Sequence, residues 1–230
     1  MQVYLIRHAQ SENNILSEEN IHRRKVDPAL TEMGYRQRDI LADFLARANK
    51  PDERFELSHL YTSAMYRSLL TAQPLGVGLN LQPQVWPDLH ENGGMFQRQN
   101  GRTSGFNGMT RSAIQSEFPD YGLPDSVSES GWYDAELGME PETHSLFRAI
   151  KVAKALRERG HVDDVIALVS HAGFLDILLK AIFDQLPSRP HTMRYYHNNT
   201  AITRINYQGS RPVLHYMNRV EHLPPEMRSF

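Results

Sequence analysis

Two stretches decide the reading of this chain: QVYLIRHAQSENN, Gln2 to Asn14, and DVIALVSHAGF, Asp164 to Phe174. Each begins as an apolar run and ends in a polar residue followed by His-Ala: Arg7-His8-Ala9 in the first, Ser170-His171-Ala172 in the second. Short runs with Val and Ile that carry no polar face are the pattern of strands buried on both sides. Between and beyond them the apolar spacing changes period. Leu30 to Ala48 carries Leu30, Ile40, Leu41, Phe44 and Leu45 on one helical stripe. Leu57 to Tyr61 reads as a strand. Ala64 to Leu75 reads as a helix, stopped before Gly76-Val77-Gly78. Leu81 to Trp86 reads as a strand, with Pro83 placing it at an edge. Thr143 is expected to cap a helix running to Arg159, and Phe174 to Phe183 reads as another helix. Ala201 to Tyr207 and Pro212 to Met217 read as a hairpin around Gln208-Gly209-Ser210. Strands alternating with helices predict an α/β fold of three layers, α/β/α, around a central mostly parallel sheet.

Composition bounds the function. The 230 residues allow one large domain, 1–230, with an insertion. The apolar fraction of 40% and charged fraction of 23% are those of a soluble globular protein. No run approaches the length of a membrane span, and no basic-then-apolar leader opens the chain. With no cysteine there is no thiolate chemistry, which fits a cytoplasmic location. A net charge of −2 gives no reason to expect a nucleic-acid partner. Residues 92–142 are rich in glycine and proline, with one short helix expected at about Thr110 to Phe118; so much irregular chain points to a substrate-covering insertion.

The two histidines carry the chemistry. In open α/β sheets ligands bind beyond the carboxyl ends of the strands, where both His8 and His171 fall. Arg7 adds a fixed cation, and the polar turn Ala9 to Asn14 leads toward a helix start of the kind that favours anions. Two histidines and an arginine there suit a phosphoryl group better than a metal, since neither His-x-His nor His-x-x-x-His spacing occurs.

Leu5 to Asn14 resembles the signature of the histidine phosphatase superfamily, the phosphoglycerate mutase-like proteins. Four further segments agree in order: Asp27 to Gly34, Tyr61 to Ala72, Leu89-His90-Glu91 with Gly93-Gly94, and Val169 to Phe174. Together they span residues 1 to about 207. The resemblance implies His8 as nucleophile of a phosphohistidine intermediate. It implies Arg7, Arg67 and His171 around the phosphoryl oxygens, with a protonated His171 suited to that role, Asn14 and Ala172 as further phosphate contacts, and Glu91 as proton donor and then base toward water. Asp88, His90 and Glu12 stand as alternatives for the acid. No metal or other cofactor is implied, and the expected partner is a small phosphorylated substrate, with free phosphate as product. The chain departs from the pattern at Ala9 and Ala172, where the family usually has glycine.

Between activities, the glycolytic mutases carry Trp soon after the first motif and Arg-His-Tyr-Gly after the acid. Here stand Asn13-Asn14-Ile15-Leu16 and Asn92-Gly93-Gly94-Met95. Both differences favour a phosphatase over a mutase; a phosphate-binding module without turnover is the third reading. Arg23, Arg24, Lys25, Arg98 and Arg102 are candidates for a second anion. Phe96, Phe106, Trp132 and Tyr133 either line an organic pocket or pack the insertion.

Overall fold

A computed structural model describes residues 1–47, 55–186 and 193–230. Its centre is a six-stranded mixed sheet. The strands are β1 (Gln2–Arg7), β2 (His59–Thr62), β3 (Pro83–Val85), β6 (Val165–Ser170), β7 (Ile202–Gln208) and β8 (Arg211–Arg219), in the order β3-β2-β6-β1-β7-β8. The first four are mutually parallel; β7 and β8 join antiparallel. The parallel part thus holds the two His-ending strands side by side, with Arg7 in register with Ser170.

Period-2 alternation explains why β1 and β6 read as unbroken apolar runs. Val3, Leu5, Ile166 and Leu168 enter one core, under α4 (Glu142–Glu158) and α5 (Ala172–Ile182). Tyr4, Ile6, Ala167 and Val169 enter the other, under α1 (Glu32–Arg47) and α2 (Tyr66–Leu79). A strand buried on both faces has no polar face to show. Pro83 sits at the edge as expected, and the edge is not bare: Val85 N–H donates to the Gly122 carbonyl and Gly122 N–H to the Pro83 carbonyl.

Three expectations need correction. The α2 helix does not stop at Gly76; it runs to Leu79 and ends on Asn80 in the left-handed region, φ 52°. Gly76 is there for close packing, since a Cβ would lie 2.8 Å from Pro83 Cγ. Pro74 inside the same helix deprives the Leu70 carbonyl of its amide partner, and Arg38 Nη1 takes that place at 2.7 Å. Secondly, α4 starts at Glu142 with Pro141, in extended backbone, at the N-cap position, so Thr143 lies in the first turn and is not the cap. Thirdly, the stretch 92–142 holds more than one short helix. Besides α3 (Arg111–Glu117) it contains a hairpin of β4 (Phe96–Gln99) and β5 (Arg102–Gly105). The expected end of the first helix at Ala48 lies outside the described residues.

Candidate active site

The carboxyl ends of β1 and β6 open onto a cavity of about 310 Å³. His8 follows β1 directly, and its N–H donates to the Ser170 carbonyl at 2.9 Å. His171 follows β6 and precedes α5. The two imidazoles lie 5.0 Å apart, centroid to centroid. His8 is on the cavity wall; His171 is wholly buried and packs behind it.

The His8 ring is held by both nitrogens. Nδ1 lies 2.7 Å from the Ala9 carbonyl, which can only accept, so the proton is assigned to Nδ1. Nε2 is then the lone-pair nitrogen, and it accepts from Arg67 Nε at 3.2 Å. Burial, reinforced by Arg67 and Arg7, holds His8 far below the ordinary histidine range, so the ring is neutral. His171 is neutral for the same reasons: burial first, then Arg67. Burial thus works against the protonated His171 expected beside a phosphoryl group while the site is empty. Its Nε2 lies 2.9 Å from Ser63 Oγ and 3.2 Å from Ser68 Oγ, so two hydroxyls fix the ring.

Two buried guanidinium groups flank the imidazoles. Arg7 Nη1 donates to the His197 carbonyl at 2.7 Å, and its plane lies over the Phe230 ring at 4.6 Å. Burial lowers its pKa to about 10, which leaves it cationic at neutral pH. Arg67, in the first turn of α2, is backed by Asp27 at 3.9 Å. Burial pushes the Asp27 carboxyl up to about 6, against the pull of Arg67. Arg7 Nε and His171 Nδ1 are buried with no hydrogen-bond partner among the described residues.

Of the proposed acids, Glu91 alone reaches this cavity. Its carboxylate accepts from three backbone N–H groups: Phe174 at 2.8 Å, Asn92 at 2.9 Å and Gly173 at 3.2 Å. Two of these belong to the first turn of α5, whose dipole favours an anion there. A Cβ on Gly173 would lie 2.7 Å from Glu91 Oε1, so the glycine makes this approach possible. Asp88 is tied to Lys151 and Trp86, and Glu12 to Lys25 and the Ala29 amide. His90 turns away to the Pro87 carbonyl and Glu140.

Asn14 lines the cavity with its carbonyl oxygen committed to Ser11 N and Oγ, both at 2.9 Å, which leaves its NH₂ as the donor end. Ala172 is on the wall beside Gly173. The methyl of Ala9 is accommodated in the core, and its N–H donates to Thr71 Oγ1. Of the second-anion candidates only Arg24 lines the cavity; Arg23, Lys25, Arg98 and Arg102 do not. Trp132 and Tyr133 border a different cavity, alongside His90. Sequence reasoning missed Arg194, which lines the site from the approach to β7, and Asn199, whose Nδ2 donates to the His8 carbonyl at 3.0 Å. The polar run Arg194 to Thr200 before an apolar strand was the available signal.

Among the described residues no group of three His, Asp or Glu side chains is placed to hold a metal ion. No described helix is long and apolar enough to cross a membrane.

The fold is shared with solved structures. A phosphoserine phosphatase mutant from Entamoeba histolytica, in complex with phosphoserine, superposes with a TM-score of 0.59 at 17% identity, over 97% of this chain and 99% of that one. A mycobacterial glucosyl-3-phosphoglycerate phosphatase gives 0.57 at 18%, over 95% and 99%. The Bacillus stearothermophilus protein YhfR gives 0.61 at 21%, over 96% and 98%. A search of curated protein sequences gave no significant match. The sequence model of the histidine phosphatase superfamily (branch 1) matches residues 3–220, the span that carries both strand-end histidines, Arg67 and Glu91, and the chain belongs to that superfamily.

Proposed function

We propose that this protein is a metal-independent phosphomonoesterase that works through a phosphohistidine on His8. The observation that carries the reading is the orientation of His8. Its Nδ1–H is committed to the Ala9 carbonyl and its neutral Nε2 sits at the cavity with Arg67 alongside. In the first step Nε2 attacks phosphorus; the P–N bond forms as the P–O bond to the alcohol breaks. Arg7, Arg67 and the Asn14 amide stabilise charge on the phosphoryl oxygens, the work a metal ion does elsewhere. A monoester arriving as its monoanion can deliver the proton that Glu91 passes to the departing oxygen. In the second step the Glu91 carboxylate takes a proton from water, the new P–O bond forms, the P–N bond breaks, and phosphate leaves. Arg7 Nε is a buried donor that a phosphoryl oxygen would satisfy.

The substrate class follows from the wall. Among the described residues Arg7, Arg24, Arg67 and Arg194 face one carboxylate, Glu91. Arg7 and Arg67 serve the phosphoryl group. Arg24 and Arg194 form no ion pair among the described residues, and they suit a second anionic group on a small metabolite. The solved relatives named for phosphoserine and glucosyl-3-phosphoglycerate act on substrates with a carboxylate near the phosphate, which supports the same class.

Rapid quench with ³²P-labelled p-nitrophenyl phosphate tests the mechanism. Acid-labile, base-stable label on wild type and none on His8→Ala is expected. Label that survives His8→Ala would place the nucleophile elsewhere. Activity that vanishes on chelation and returns with a divalent ion would overturn metal independence.

A further inference from the structure

Glu91 has no helix or strand of its own. It follows the short 3-10 turn Pro87–Leu89 and precedes Gly93-Gly94, both at positive φ, and a turn bond from Gly94 N–H to the Glu91 carbonyl at 3.0 Å closes it locally. Beyond that turn, the segment is gripped by a partly buried arginine on α4. Arg148 Nη1 donates to the Asp88 carbonyl at 2.6 Å and to the His90 carbonyl at 3.0 Å, which grips the three residues before Glu91. Its Nε and Nη2 make a two-pronged pair with Glu140, both at 2.7 Å. The Glu140 N–H in turn donates to the Gly93 carbonyl at 2.8 Å, two residues beyond Glu91. The Arg148 guanidinium also lies over the Phe174 ring at 4.6 Å, and Phe174 is the residue whose N–H holds Glu91 Oε1. One planar fork therefore touches the chain before Glu91 and the residue that holds its carboxylate, and through Glu140 it reaches the chain after it.

We propose that Arg148 is a positioning residue that sets the Glu91 carboxylate at the leaving group, with Glu140 as the anchor that orients its fork. The proposal rests on the reading of Glu91 as proton donor. Lysine cannot replace Arg148 in this role: an ammonium keeps the charge but cannot serve two carbonyls and both carboxylate oxygens in one plane. Arg148 borders the neighbouring cavity and not the one that holds His8, so its substitution should act through Glu91 and not on substrate contacts.

The test is the leaving-group dependence of phosphoenzyme formation, measured as burst rates with phenyl phosphate and p-nitrophenyl phosphate. The two share a ring and a phosphoryl group, but phenolate needs a proton far more than p-nitrophenolate does. Glu91→Gln should lose at least about tenfold more with phenyl phosphate than with p-nitrophenyl phosphate. Arg148→Lys should show the same selective loss, with KM for p-nitrophenyl phosphate unchanged. The double variant should be no worse than Glu91→Gln alone. If Arg148→Lys does not fold, Glu140→Gln, which frees the fork but keeps the arginine, carries the same expectation with a smaller loss. Equal losses with the two esters in Glu91→Gln would overturn the proton-donor reading itself. Selective loss in Glu91→Gln together with uniform loss, no loss, or additive loss in the fork variants would overturn the role of Arg148 and leave that of Glu91 standing.

Discussion

Arg67 Nε and His8 Nε2 lie 3.2 Å apart, so the guanidinium donates to the same lone pair that would attack phosphorus. Arg67 can hold the ring in its neutral tautomer while the site is empty and turn to phosphoryl oxygen when substrate displaces it. Arg67→Met removes a fixed donor of the kind that lowers turnover by about 10²–10³-fold when lost. Single-turnover phosphorylation should slow by that order, with the label still on His8. An unchanged rate would show that Arg67 only packs.

The acidic side of the pH axis should show how the site is buried. Burial first, then Arg67 and Arg7, holds His8 far below the ordinary histidine value, and His171 likewise. Burial takes His197 and His222 down to about 4. A depressed folded pKa means the unfolded chain binds the proton first. Stability is therefore full above about 6.5, the unfolded value, and is lost as pH falls toward the folded ones. Each such group contributes at most about 1.4 kcal/mol per pH unit in that window. Asp27, raised to about 6 by burial, runs the other way: its contribution is present below about 3.9 and lost as pH rises through 6. The four histidines outweigh it, so urea unfolding should show stability falling from pH 7.5 to pH 5. ¹⁵N spectra should show a neutral His8 ring across that range. A His8 resonance titrating near 6.5 would contradict the burial argument.

Glu140 gives the opposite test in strong acid. Burial disfavours its charge, but the bonds from Arg148 and His90 outweigh burial and hold the carboxyl at about 2. Its contribution is present above the unfolded value, about 4.3, and is lost as pH falls through 2. Glu140→Gln leaves Arg148 a partly buried charge without its counter-ion. It should cost about 3 kcal/mol at pH 7, and the gap to wild type should narrow toward pH 2. A gap independent of pH would mean the loss is one of packing.

What was legible in the sequence follows from what the site demands of the chain. His8 and His171 could be placed because each ends a strand buried on both faces, and such strands leave an unbroken apolar run. Arg67 and Glu91 were legible through ordered resemblance, since neither carries a pattern of its own. The β4–β5 hairpin was missed although its turn is a strong signal: Asn100 and Gly101 both have positive φ, 51° and 75°, as an Asn-Gly two-residue turn requires. Its flanks, Phe-Gln-Arg-Gln and Arg-Thr-Ser-Gly, are nearly all polar and show no apolar alternation, so the turn stood without strands around it. Arg148 was invisible for another reason: its partners lie 8, 58 and 60 residues away, and only the fold joins them.

Arg24 and Arg194 should govern which ester is preferred. Each lines the cavity without an ion pair among the described residues. Arg24→Ser and Arg194→Ser should raise KM about tenfold or more for a phosphomonoester with a carboxylate, as expected for a lost charged hydrogen bond of about 1.5–3 kcal/mol. KM for p-nitrophenyl phosphate, which has no second anion, should change little. Competition by 3-phosphoglycerate, by a bisphosphate and by glycerol 3-phosphate would separate the two kinds of second anion from a neutral end. Equal KM changes for charged and neutral esters would remove the second-anion role.

Gly173 separates the position of Glu91 from the stability of the fold. A Cβ at residue 173 would lie 2.7 Å from Glu91 Oε1 and 3.0 Å from Asn92 Nδ2, so Gly173→Ala must push the carboxylate aside. Both atoms are the ends of flexible side chains, and they can yield without moving backbone. Gly173 lies in the first turn of α5, where alanine is favoured over glycine by up to about 1 kcal/mol. That gain offsets part of the loss of the N–H bonds to the displaced carboxylate, so the variant should stay folded, at a cost of no more than about 3 kcal/mol, with a misplaced proton donor. Burst rates with phenyl phosphate should fall about 10–100-fold, and rates with p-nitrophenyl phosphate far less, because only the first leaving group depends on the proton. Thermal unfolding and the two burst rates, measured on one preparation, decide it. Equal loss with both esters would mean that the methyl obstructs the cavity, and the 2.8 Å bond from Phe174 to Glu91 would then hold the carboxylate despite its crowded neighbour.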